Sequence, residues 1–303
     1  MFLLKEALKK KPSSEQLKSN AARLPDLKRL LKGRSFAEVR DDYDVLARLN
    51  ELMGGFTESW PKADPAAMVE SAKGELRFAV EVKKVELFKS FCDVGCGSGY
   101  FARAAFEMGC DFSCGLDIQP HPAWESFLEG ADGRLKYLTT DISAARHERK
   151  YEMVTSFSAF EHFKNPPLML KAMSELAADG GYLYLNFSPI YNAADGLHMA
   201  PLIRIPWHHL IFSRQALARY YKDFGLEASL QWAEEWLNKW SAVDFMNMFS
   251  NFNEMRLISL QPFWNLNYYW FARLFPDILP PWIGLEELLI NGFRVVYKKE
   301  RPF

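Results

Sequence analysis

Asp93 stands two residues ahead of three glycines at alternate positions, Gly95, Gly97 and Gly99, inside a short apolar run that includes Phe88, Phe91 and Val94. Glycines so spaced let a chain leave a strand and enter a helix through a turn that a Cβ would crowd. They also leave bare backbone at a helix N-terminus, where a ligand can lie. Tyr100 stands where the dinucleotide fingerprint needs a third small residue, so this is not that loop. Asp117 falls about 20 residues past the loop, at the expected end of the next strand, and its two oxygens suit the paired hydroxyls of a ribose. Of the six histidines, four (His162, His198, His208 and His209) follow the fourth apolar run. An imidazole there can take a proton from an acceptor hydroxyl or orient it.

These residues need strands and helices in a fixed order, and the hydrophobic pattern supplies one. After the loop come a helix over 101–108 and a strand over 112–116 that ends at Asp117. A third strand over 135–138 runs into Thr139, Thr140, Asp141 and Ile142, and a fourth covers 153–157. A helix over 167–178 ends at Asp179-Gly180-Gly181, and a fifth strand follows over 182–187. Residues 255–260 and 293–297 read as the last two strands, with helices starting at serine caps Ser213 and Ser241.

Over residues 88–190 this arrangement resembles the class I S-adenosylmethionine (SAM) dependent methyltransferases, and 290–298 is similar to their last strand. The resemblance implies an α/β, Rossmann-like sheet, mostly parallel with an antiparallel last strand, and SAM as cofactor. It assigns cofactor contacts to Asp93, Gly95, Cys96, Gly97, Gly99, Asp117, Ile118, Asp141, Ile142, Ser156 and Phe157, with Asp141 at the adenine amino group. Glu161-His162 after strand four is frequent in a small-molecule subgroup of these enzymes. His162 is the candidate base or substrate-orienting residue, the alternative being a histidine that ties the loop to the next helix. Residues 188–212 are similar to a bacterial subset with Gly-His-x and Pro-Trp-x-His-Leu signatures, many of whose members look like modifiers of glycans or secondary metabolites.

The implied domain plan is a helical N-terminal leader or cap (1–87) and a SAM-binding domain (88–303), the latter carrying substrate-lid insertions at 188–251 and 263–288. Tyr43, Trp60 and Arg77 are leader residues that could reach a substrate. Tyr191, His198, Trp207 and His208 are expected to line an acceptor pocket; alternatively they pin the lid to the core. A metal held by His198, His208 and His209, with Glu161 or Asp195, matches no ligand spacing, and no metal is expected.

A net charge of −1 argues against a dedicated nucleic-acid binder. So does the absence, at Ser156-Phe157, of the Asn/Asp-Pro-Pro-Tyr pattern of nucleic-acid amino methylation. Cys92, Cys96, Cys110 and Cys114 read as small buried hydrophobes in a reducing compartment rather than zinc ligands. No apolar run approaches the length of a membrane span, and the apolar start at residues 1–4 is too short for a signal core, so the cytoplasm is the expected location. Residues 1–34 carry ten Lys or Arg against three acids, a basic face suited to an acidic partner, to peripheral membrane contact, or merely to solvent. The expected activity is O-methylation of a small hydroxylated molecule. The alternatives are N- or S-methylation, which needs no base, and a non-catalytic SAM-fold subunit; sequence does not give the oligomeric state.

Overall fold

In the computed structural model, which describes residues 14–55, 64–81, 88–144, 149–199 and 203–301, the apolar runs become seven strands. They are β1 (Ser90–Val94), β2 (Phe112–Asp117), β3 (Leu135–Thr139), β4 (Tyr151–Phe157), β5 (Ala177–Phe187), β6 (Arg256–Trp264) and β7 (Ile290–Lys298). One sheet joins them in the order β3-β2-β1-β4-β5-β7-β6. The first five pair in parallel, and β7 runs antiparallel to β5, from Tyr182 opposite Lys298 to Phe187 opposite Phe293. This is the Rossmann-like, mostly parallel sheet that the sequence implied. Strand order reverses between β1 and β4, and in such sheets the ligand crevice opens outside the carboxyl ends at that point. The register Asp93 to Thr155 sets the two carboxyl ends side by side.

Several boundaries differ from the sequence reading for identifiable reasons. The helix expected over 167–178 is Pro166–Leu176, and β5 begins at once at Ala177. Gly180 N–H donates to Lys299 O, and Lys299 N–H donates to Gly181 O, so the glycine turn is recruited into the ladder with β7. β6 extends to Trp264 and so absorbs the start of the aromatic run. Helices Ala123–Leu128 and Glu227–Trp236 were not anticipated; neither has a side-chain cap to announce it. All four cysteines are free and buried, as expected.

The chain divides into two compact units. One holds the sheet (Pro61–Ser188, Asp244–Gln261 and Phe293–Phe303), and the other gathers Met1–Trp60, Pro189–Val243 and Pro262–Gly292. The second unit therefore draws on both the expected leader and the expected lid segments. Its core interleaves Leu46 and Leu49 with Trp207, Phe212, Tyr221 and Phe271. Asp42 caps helix Tyr43–Leu52 by accepting from Val45 N–H at 3.0 Å, and left-handed Gly54 and Gly55 follow its end. Ser213 caps helix Arg214–Asp223 through Ala216 N–H. Trp60 lies outside the described residues. Among the described residues no helix is long and apolar enough to cross a membrane.

Helix Pro65–Glu81 is fastened to the sheet by Glu75, whose carboxylate accepts from Tyr184 Oη, from Asn186 Nδ2 at 2.8 Å and from Arg294 Nη2 at 3.0 Å. Glu75→Ala leaves three donors short of an acceptor, that of the buried Tyr184 and those of the half-buried Asn186 and Arg294, and is expected to cost about 2–4 kcal/mol with the urea m-value unchanged. A loss under about 0.5 kcal/mol would show that the cluster does not hold the helix.

Candidate functional site

The turn after β1 is held from the side by β2. Leu116 O accepts from both Gly95 N–H (2.8 Å) and Cys96 N–H (3.1 Å), and Asp117 Oδ2 accepts from Gly97 N–H at 2.8 Å. Gly95, Gly97 and Gly99 all have positive φ, but their surroundings differ. A Cβ on Gly95 would stand 2.6 Å from the Cβ of Ala159, and one on Gly99 would stand 2.4 Å from the Tyr137 ring. A Cβ on Gly97 would meet nothing within 4 Å. Gly95 and Gly99 thus serve packing, whereas Gly97 turns its backbone toward open space.

Two aromatic residues that sequence reasoning missed pin this loop. Trp124 donates its indole N–H to Gly97 O at 2.7 Å, and Tyr137 donates its hydroxyl to Gly99 O at 2.8 Å. Their rings stack at 5.2 Å. His121 accepts from Ala123 N–H at its Nδ1, which places its proton on Nε2, facing Ser98 Oγ at 3.3 Å. A lone tryptophan in an unrecognised helix gives no sequence signal for such a role.

At the switch point Asp93 is buried, and its Oδ1 accepts from Thr155 Oγ1 at 2.8 Å. Burial pushes its carboxyl up to about 8, with the Asp117 charge adding to the rise and the Thr155 bond opposing it; no cation among the described residues offsets it. Ser156 Oγ, at the end of β4, is buried without a hydrogen-bond partner. Phe157 stacks on Phe101 at 3.5 Å. The chain then turns through left-handed Ser158, whose N–H donates to Asn186 O at 2.9 Å, and Ala159 and Phe163 pack against Gly95. That turn carries the buried Glu161 and the half-buried His162. Glu161 Oε2 has no hydrogen-bond partner, and burial pushes this carboxyl up to about 8 as well. Ile118 is 54% exposed and Ile142 is buried. Asp141 is exposed, its Oδ1 held by Ser143 N–H and Oγ at 2.9 and 2.7 Å.

The residues expected in an acceptor pocket lie in the other unit. Trp207 is fully buried there, with its indole N–H on Leu288 O at 3.0 Å and its ring against Tyr268 and Phe271. It has no face left for a ligand, so the expectation of a pocket-lining ring is corrected to a packing anchor. His208 is buried too, with Nδ1–H on Ile205 O at 3.1 Å and its pKa pulled to about 4 by burial. His198 is half-buried, Nε2 lying 2.9 Å from Pro189 O, and burial lowers its pKa. Tyr191 meets His209 edge-on at 4.9 Å, and its carbonyl accepts from His209 Nε2 at 2.6 Å.

The residues of the sheet unit fit SAM on three counts. Space is open over Gly97, Asp117 keeps acceptor capacity beside it, and the uncompensated Asp93 carboxyl favours a cationic ligand.

A methyltransferase-domain family model matches residues 67–231, just over half of the 303-residue chain. Among curated proteins, the chain is 30% identical over 116 residues to a ubiquinone biosynthesis O-methyltransferase of Pectobacterium carotovorum, covering 37% of this chain and 47% of that protein. It is 28% identical over 102 residues to the protein of that name from Shewanella pealeana, covering 32% and 43%. The chain thus spans less than half the length of these relatives. Among solved structures, it resembles a plantazolicin methyltransferase in complex with a monoazolic desmethylPZN analogue and SAH (TM-score 0.46, 14% identity, 78% of this chain and 85% of that one). It also resembles the magnesium protoporphyrin IX methyltransferase of Synechocystis (TM-score 0.43, 13% identity, 93% and 95%).

The two raised carboxyls bear on stability. Their ordinary values are 3.8 and 4.5, so between those values and about 8 the folded chain holds protons that the unfolded chain releases. Stability is therefore full at the acid end of that window and falls as pH rises through it. The ligand-free protein is expected to melt several degrees lower at about pH 8.5 than at about pH 6, and Asp93→Asn should shrink that difference. A melting temperature that rises across this window in the wild type would contradict the assignment.

Proposed function

The chain belongs to the class I SAM-dependent methyltransferases, and on that premise we propose that it methylates a hydroxyl group of a small molecule. When bound, SAM supplies an electrophilic methyl group on a sulfonium. A hydroxyl acceptor must lose its proton as the new bond forms, so the protein has to place a base at the acceptor. The observation that carries the reading is the turn after β4. It packs on the glycine loop at Gly95 and presents His162 next to a buried carboxyl, Glu161, whose Oε2 is unpartnered. His162 takes the acceptor's proton, and Glu161, once ionised, supports the resulting imidazolium. The curated relatives, named as O-methyltransferases of ubiquinone biosynthesis, agree with a hydroxyl acceptor.

In this proposal Asp117 binds the ribose hydroxyls, and Asp141 reads the adenine amino group with Ile118 and Ile142 beside the ring. Asp93 answers the positive charge of the methyl donor, and Gly95, Cys96, Gly97 and Gly99, with Ser156 and Phe157, shape the rest of the crevice. The reaction takes place in the cytoplasm.

With labelled SAM and a panel of hydroxylated and amine acceptors, His162→Ala is expected to cut kcat about 10²-fold or more while SAM affinity changes by less than about twofold. Glu161→Gln should remove a limb of activity that rises through about pH 8, because only the ionised carboxyl steadies the imidazolium. Full activity in both variants, or methylation of amines alone, would overturn the O-methyl reading.

A further inference from the structure

Among the described residues five non-glycines have positive φ, and Ser158, at 48°, is the one that directly follows a strand. An L-residue held in that region costs on the order of 1 kcal/mol or more, and it persists only where its surroundings fix it. The neighbouring strand does so here: Ser158 N–H donates to Asn186 O at 2.9 Å. His162 N–H, donating to Ala159 O at 2.9 Å, closes the same turn. The rotation set at Ser158 therefore decides the direction in which Glu161 and His162 leave β4.

Asn186 is the last residue but one of β5, a place where a strand frays unless something holds it. Asparagine is a poor strand residue, and the ladder makes no use of its side-chain amide. That amide is spent on Glu75, which accepts from Asn186 Nδ2 at 2.8 Å. Arg294 stands opposite Asn186 in the antiparallel register with β7. Its Nη2 lies 3.0 Å from the Glu75 carboxylate, and its guanidinium lies 4.4 Å from the centre of the Phe78 ring, so Glu75 is steadied from β7 as well. Tyr184 and Arg294 suffice to fasten helix Pro65–Glu81 to the sheet. The third bond goes to the residue whose carbonyl holds the strained turn.

We propose that Glu75 and Asn186 are positioning residues, acting through the Ser158 turn to set the direction of His162, an inference that rests on the reading of His162 as the acceptor's base. Neither residue exchanges a proton with the acceptor. Their effect is geometric, and a displacement of about 1 Å at a reacting group can cost about 10²-fold in rate.

Hydrogen exchange of the full chain, read by mass spectrometry on peptides covering 156–163 well below each variant's melting temperature, tests this without an acceptor. Asn186→Asp keeps the backbone carbonyl but sets a second carboxylate against Glu75. Exchange in the turn is expected to rise about tenfold while helix Tyr100–Glu107 stays as in the wild type. Adding Glu75→Gln restores an amide-to-carboxylate pair in the reverse direction, still facing Arg294, and should return the turn to wild-type protection. With labelled SAM and the panel of hydroxylated acceptors, kcat should fall about tenfold or more in Asn186→Asp, recover in the double variant, and leave KM for SAM within about twofold. Wild-type exchange in the turn of Asn186→Asp, or a loosened turn that Glu75→Gln does not restore, would overturn the inference whatever His162 does. A loosened turn in Asn186→Asp beside full activity in His162→Ala would overturn the base reading and leave the coupling of Glu75 to the turn supported.

Discussion

Leu116 and Asp117, the last two residues of β2, take the amides of Gly95, Cys96 and Gly97 as acceptors, and these bonds fix the left-handed turn by which the chain leaves β1. A carbonyl can accept two amides at once only where the donor chain crosses it closely, and Gly95 lets the turn do so against Ala159. Trp124 and Tyr137 hold the opposite, carbonyl side of the same turn. The loop is thus gripped at every residue that has a partner in the sheet unit, while the one glycine facing open space, Gly97, is positioned without being covered. A site built on rigid elements in this way loses little freedom when its ligand arrives.

The electrostatics follow from the same topology. Parallel strands buried on both faces leave little room for water, so a carboxyl within one of them loses solvation. Asp93 on β1 and Glu161 just beyond β4 both sit at the point where strand order reverses, and burial raises both. With no cation among the described residues to compensate Asp93, the fold gives up some stability for readiness toward a positively charged ligand. The same burial suits these groups to the binding and proton handling proposed for them.

The glycine loop and Asp117 were legible because each rests on local chemistry: a backbone angle only glycine adopts easily, and an acid at a strand end. The order of strands was legible for the same reason, since five apolar runs separated by turns admit few parallel sheets. What the sequence did not disclose depends on contacts between distant segments. Trp207 among histidines reads equally as a ligand platform or a core anchor, and only its bond to Leu288 and its packing on Phe271 decide for the core. Trp124 sits 27 residues from the carbonyl it holds. Helix Glu227–Trp236 begins after Leu226, which has no capping side chain, so nothing local marks its start. The glycine turn before β5 was read as a boundary, yet Lys299 draws it into the ladder from the far end of the chain.

Calorimetric titration with SAM, run beside NAD on the wild type and on Asp117→Ala, tests the account at its centre. The account predicts micromolar SAM binding by the wild type and no response to NAD. Losing the carboxylate that accepts from Gly97 N–H, and that is proposed to receive the ribose hydroxyls, should weaken SAM by about 2–3 kcal/mol, on the order of 30- to 150-fold. Unchanged SAM affinity in Asp117→Ala, or binding of NAD in place of SAM, would contradict it.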